Sequence, residues 1–212
     1  MAESRETVYD LLAVFVILLV TLVLTANFGI VQLYYPSIIL WALMPFIVEL
    51  AVRKGSIRNL GFQKTDFRKS LPLTFGLILF WLLAFLLIPQ GLGKAPLPAG
   101  FLVFVASYFF HPGLVEELCF RGFLQTRLER LFSVKKALVV QAAIFGLYHL
   151  PQVFSGSPGW LVLGGSFYPF IAFVFGIVMG IVYIKTRNLF VGIGVHASAL
   201  EFFLLGNTLG AR

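Results

Sequence analysis

Between Leu11 and Leu205 the chain is a succession of apolar runs, and its basic residues gather in the short segments between them. Several of these runs approach the roughly 20 mostly apolar residues that a bilayer span requires. Hydrocarbon offers the backbone no water to bond, so each span must satisfy its N–H and C=O groups internally, as a helix does. Composition points the same way: 59% of residues are hydrophobic and 12% charged, where a soluble domain carries about 25% charged residues. The expected fold is all-α, a multi-pass transmembrane helical bundle. It forms one integral membrane domain over residues 1–212, without a soluble appendage and with an intramembrane polar cavity.

Apolar helices are predicted near Leu11–Phe28, Leu33–Val52, Leu71–Leu87, Phe101–Leu131, Ala137–Phe154, Phe167–Ile184 and Leu189–Leu205. That makes seven spans, or eight if a short or re-entrant piece around Trp160–Leu163 also enters. The formal charge of +7 is no signal for nucleic acid, because the basic residues sit between spans as the positive-inside rule expects. The expected surroundings are membrane lipid. The polar lead Met1–Asp10 is too acidic for a signal peptide, and no A-x-A-like site follows the first run, which is read as a retained span. A cytoplasmic N-terminus places Arg5, the Arg53–Lys69 group, the Arg121–Lys136 group, Lys185 and Arg187 on one side. Only Lys94 and Arg212 of the 16 basic residues then lie opposite. Cys119 is the single cysteine, so no intrachain disulfide forms.

Ionisable residues inside a span cost roughly 2.5–3.5 kcal/mol each on insertion scales, and they face a bundle interior or a wet cavity. The candidates are Glu49, Glu116, Glu117, Arg121, His149, His196 and Glu201. Glu117 and Arg121 are four apart with the acid N-terminal, the favourable order for a pair on one helix face. Glu116 is turned away from that face and has no partner in its own helix, which suits a group that must take a proton from water. The turn "SVKK" makes a hairpin of the two helices around it. Counting from Ser133 and Val134, Glu116 lies 17 residues back and His149 lies 15 forward, so both sit at matching depth. His196, some ten residues into the last span, reaches the same level if that helix is tilted. Phe145, one turn before His149, and Phe120 are expected to wall the substrate cavity.

Each residue also has a plainer reading. Glu117 with Arg121 is as readily a structural ion pair, and a lone intramembrane histidine is frequently a helix-to-helix hydrogen bond. His111, ahead of Pro112, is read as satisfying the backbone at a proline kink. Glu49 and Glu201 are read as interfacial groups or bundle contacts, and the abundant phenylalanine as core and lipid-facing surface.

"EELCFR", "FGLYH" and the histidine of "GIGVHASAL" together resemble the CPBP family, the CAAX proteases and bacteriocin-processing proteins, whose membrane core includes the type II CAAX prenyl endopeptidases. The first two segments match that family's E-E-x-x-x-R and F-x-x-x-H motifs, and the likeness covers about Pro112–Leu200. The resemblance implies a catalytic core over 112–200 and an intramembrane endopeptidase. In it Glu116 activates water together with His149, Glu117 and Arg121 support that glutamate, and His196 stabilises the developing oxyanion. The implied substrate is a peptide or protein tail, such as the C-terminal tail of a prenylated CAAX-type protein. The family carries Asn or Asp four residues after the late histidine, where this chain has Leu200. No cofactor is required by this reading. Glu116, His149 and His196 would be the ligands if the site instead held zinc with a water in the fourth position. The competing readings are a non-catalytic scaffold or immunity protein of the same family and, further off, a transporter using the same intramembrane Glu and His groups.

Overall fold

The computed structural model describes residues 2–28, 40–62, 109–154 and 165–210, with separate positions between 71 and 83; side chains at 2–4, 24–28, 152, 154, 165 and 200–210 lie outside the description. Among the described residues there is helix and no strand. Helix α1 runs Ala2–Phe28 and α2 runs Leu40–Val52, followed by a 3-10 turn Ile57–Leu60. Helix α3 covers 109–131, passing through wide π-helical turns at Glu117–Gln125 and closing as regular α-helix over Thr126–Leu131. After it come α4, Val134–Tyr148, the short α5, Leu150–Phe154, α6, Tyr168–Thr186, and α7, Leu189–Gly210.

The predicted hairpin between α3 and α4 forms, its turn shortened to Phe132 and Ser133 as Phe132 becomes extended. The kink expected ahead of Pro112 is present, since His111, with φ −141° and ψ 121°, is not helical. Two boundaries are corrected. The predicted Ala137–Phe154 helix divides at His149, where the chain turns two residues before Pro151, a residue with no N–H to continue the helical ladder. The first helix begins at Ala2 and not near Leu11, so the polar lead is helical, with Thr7 and Asp10 buried. The expected spans near Leu71–Leu87 and Trp160–Leu163 lie mostly or wholly outside the described residues.

Polarity is distributed with oil outward. Helix α1 exposes Leu12, Phe15, Val16, Leu19 and Val23, and α6 exposes Phe170, Ile171 and Val174. A water-soluble monomer rarely shows apolar patches of this extent. The stretches Arg5–Val23 and Tyr168–Thr186 are long and apolar enough to cross a membrane. Inside stand Glu49, Glu116, Glu117, Arg121, Gln125, Arg127, Gln141, His149 and His196, all buried. Trp41 of α2 joins the core by stacking on Phe120 at 5.5 Å and meeting Tyr148 edge-on at 5.4 Å.

Two devices hold the helices. One is a network of charges at a single end of the bundle. Arg127 of α3 pairs with Asp10 of α1 at 3.2 Å and with Glu49 of α2, and Arg53 bonds Asp10 at 2.8 Å. The expectation that Glu49 makes a bundle contact therefore holds. Counting Arg121 and Arg127 among loop charges does not, since both are buried; the positive-inside tally rests on the remaining basic residues.

The second device is close approach of α4 and α6 through small residues. Gly176 and Gly180 form a G-x-x-x-G pair, the spacing that lets helix backbones meet in a membrane. A Cβ on Gly176 would stand 3.1 Å from the Ala142 Cα, and one on Gly146 would stand 2.7 Å from the Pro169 carbonyl oxygen.

Two outcomes follow. Gly146→Ala forces α4 away from backbone that cannot yield and should lower stability by about 1–3 kcal/mol, seen as a reduced Tm in detergent. Arg127→Met leaves buried Glu49 without its arginine and Asp10 with Arg53 alone, and should cost about 3 kcal/mol, the lower end for breaking a buried pair. The double variant Asp10→Asn/Arg127→Met should recover part of that loss in the same measurement.

Candidate active site

The π turns of α3 direct an unbroken run of side chains inward, so every residue from Glu117 to Gln125 is buried. Widened turns of this kind occur frequently at functional sites. Within them the expected one-turn pair forms: Arg121 Nη1 lies 3.0 Å from Glu117 Oε1, with both side chains fully buried. The same Glu117 oxygen accepts a 2.7 Å hydrogen bond from His196 Nδ1 on α7. Gly192, one turn before His196, makes this approach possible, since a Cβ there would stand 2.8 Å from Glu117 Oε2. Arg121 in turn donates to the Gly176 carbonyl of α6 at 3.4 Å, and its guanidinium lies over the Phe145 ring at 4.5 Å.

His149 arrives from α4 as its C-terminal cap. Its Nδ1 contacts the Phe145 carbonyl at 2.8 Å. That oxygen can only accept, so Nδ1 carries the proton and Nε2 presents its lone pair. The same reasoning applies to His196, whose Nδ1 donates to a carboxylate. Both free Nε2 atoms face one group: His149 Nε2 stands 3.9 Å from Glu116 Oε1, and His196 Nε2 stands 3.7 Å from Glu116 Oε2. These separations are too long for direct hydrogen bonds. They are what one bridging water spans when it sits about 2.8 Å from each partner.

Aromatic rings box these polar groups. Phe145 meets His149 edge-on at 4.6 Å and Phe120 at 4.8 Å, and it lies 6.3 Å from His196. Phe175 covers the other imidazole at 4.8 Å, and Tyr148 and Tyr168 stand 5.1 and 5.2 Å from His149. Phe145 and Phe120 are each 1% exposed, so in this conformation they are walls behind the polar groups.

The structure thus gathers Glu116, Glu117, Arg121, His149, His196, Phe145 and Phe120 from three helices. Sequence reasoning overlooked Phe175 and the link from Glu117 to His196; the first has no motif, and the second joins residues 79 apart in sequence. His111 sits at the break in α3. Leu200 and Glu201 continue α7 beyond His196, with side chains outside the described set. Glu116, His149 and His196 are the donor set a zinc ion would need. As their side chains stand, no group of three or more His, Cys, Asp or Glu among the described residues could hold a metal ion.

No curated protein and no solved structure matches the chain. Residues 98–199 match the family model for type II CAAX prenyl endopeptidase, Rce1-like. The matched stretch contains all seven residues just described. The match spans just under half of the chain and supports a place for it in the CAAX protease family.

Proposed function

We propose that this chain is an intramembrane endopeptidase that hydrolyses a peptide bond with a water activated by Glu116 and His149. The observation that carries the reading is the convergence of two imidazole lone pairs on one buried carboxylate, 3.7 and 3.9 Å away, with both Nδ1 atoms already committed. A water in that space donates one hydrogen to Glu116 and the other to His149. Its oxygen attacks the scissile carbonyl carbon as Glu116 takes the proton, and no acyl-enzyme forms.

His196 cannot donate from Nε2 while its only proton is on Nδ1. It becomes a donor to the oxyanion when Nε2 takes up a proton from bulk solvent before attack, and that proton returns to solvent after product leaves. Glu117 at 2.7 Å balances the imidazolium, as a buried carboxylate does in a catalytic triad. Collapse of the tetrahedral intermediate returns a proton from Glu116 to the leaving amine. Arg121 holds Glu117 in place and is a positioning residue. The favoured substrate is the C-terminal tail of a prenylated protein, reached from the surrounding lipid, and the chemistry asks for no cofactor. The N-terminus is assigned to the cytoplasmic side.

Leu200 favours a second reading, because the family carries Asn or Asp at that position. A member lacking a donor there fits a non-catalytic scaffold or immunity protein.

One assay separates the readings. Purified protein is incubated with a farnesylated CAAX peptide and with unprenylated membrane peptides, with and without chelator. Wild type should cleave the prenylated peptide in both conditions. Glu116→Gln should lose at least about 10²-fold in kcat, in the range of general-base catalysis, and His149→Ala should fall similarly. Cleavage that survives Glu116→Gln sinks the proposed base, and activity lost only to chelator assigns Glu116, His149 and His196 to zinc. Failure to cleave any peptide favours the scaffold. Glu117→Gln should reduce kcat by roughly 10²-fold or more while KM stays near wild type, because it removes the charge that balances His196 without touching substrate.

A further inference from the structure

From the candidate site toward the charged end of the bundle, a seam of buried polar groups runs between α3, α4 and α6. It starts at Glu117 and Arg121, continues through Gln141 of α4 and Gln125 of α3, and reaches Glu129 and Arg187. Gln141 Nε2 donates to the Gly176 carbonyl at 2.9 Å. Gln125 Nε2 lies 3.1 Å from Glu129 Oε1 and 3.4 Å from the Gly180 carbonyl. At the far end Arg187 Nη1 bonds Glu129 Oε2 at 2.6 Å, and the Arg187 side chain is 39% exposed. From Glu117 to Glu129 the seam spans roughly 18 Å of helix.

Its members are under-bonded in a consistent way. Arg121, Gln125 and Gln141 are each 0% exposed. Yet Arg121 Nε, Gln141 Oε1, Gln125 Oε1 and Glu117 Oε2 have no protein hydrogen-bond partner, and Arg121 Nη1 has only its ion pair with Glu117. Buried polar atoms are rarely left so, and a cluster of them marks a place where a small polar molecule bonds. Gly180 lets both amides reach the α6 backbone at the middle of the seam, where a Cβ would collide with Leu138 Cδ1 and meet Gln141 Nε2 at 2.8 Å and Gln125 Oε1 at 3.1 Å. The orphaned atoms comprise a guanidinium donor at one end and amide acceptors further along. A cation would suit the amide oxygens but not Arg121, and an anion the reverse. Water both accepts and donates, and it suits every member.

We propose that this seam is an internal water conduit that carries water from the Glu129 and Arg187 end of the bundle to Glu116. Resting on the hydrolase reading, it solves the supply problem of that reaction, because a bond cleaved within hydrocarbon consumes a water that lipid does not provide. The two glutamines are the conduit's polar lining, brought against the α6 backbone at Gly180.

The test uses the whole chain in detergent or nanodiscs with Gln125→Met/Gln141→Met, which keeps side-chain length and removes both amides. Its first readout is independent of catalysis. Brief X-ray radiolysis in 18O-water labels side chains beside bound water, and Phe145, 1% exposed and stacked on Arg121, is the reporter. Phe145 should take up 18O in wild type and at least fivefold less in the double variant. An unlabelled Phe145 in wild type, or equal labelling in the variant, overturns the conduit. The second readout is cleavage of the farnesylated peptide: kcat should fall at least fivefold with KM unchanged, and unchanged kcat overturns it. If no peptide is cleaved by wild type, the hydrolase reading fails while the labelling result still decides the conduit. Gln125→Asn/Gln141→Asn should restore part of the labelling, an outcome that a purely helix-bonding role for the amides does not give.

Discussion

The carboxylate of Glu117 is the group on which the other helices of the site are assembled. One of its oxygens receives both Arg121 Nη1 and His196 Nδ1, while the backbone at Gly192 closes over the other. Arg121 reaches on to α6 through the Gly176 carbonyl, which also accepts from Gln141 of α4. A fully buried carboxylate is expensive to desolvate, and it persists only where cations and donors surround it. Here those partners come from elements far apart in sequence, so satisfying one charge fixes the relative placement of α3, α6 and α7.

The neighbouring glutamate lives under different terms. Glu116 is buried just as deeply but meets no arginine within bonding distance, only two imidazole nitrogens too far away to bond directly. Adjacent in sequence, the two acids meet different partners because the helix turns them apart. One is spent on architecture, and the other is left with bonding capacity unused.

Much of this was legible in the chain. The helices follow from apolar run length, the Glu117 and Arg121 pair from four-residue spacing, and the common level of Glu116 and His149 from their distances to one hairpin turn. What escaped was non-local. Asp10 reads as part of a polar lead because its partners, Arg53 and Arg127, are 43 and 117 residues away. Pro112 announces the interruption at His111 and Pro151 the break at His149, whereas the π turns that follow His111 shift hydrogen bonds without a residue type that marks them. Gly176 and Gly180 carried a recognisable spacing, and their partner surface on α4 is set by Ala142 and Gly146, which only packing reveals.

The contact between α4 and α6 also bears on how a polypeptide reaches the site. Where Gly146 meets the Pro169 carbonyl and Gly176 meets Ala142, the two helices touch through main chain, with Phe145, Phe173 and Leu138 packed beside the contact. Such a joint cannot part without separating the helices bodily, which would also break the bonds converging on Gly176. That wall of the bundle is closed to lateral traffic, so on the proposed function a substrate arriving from lipid would have to enter between other helices.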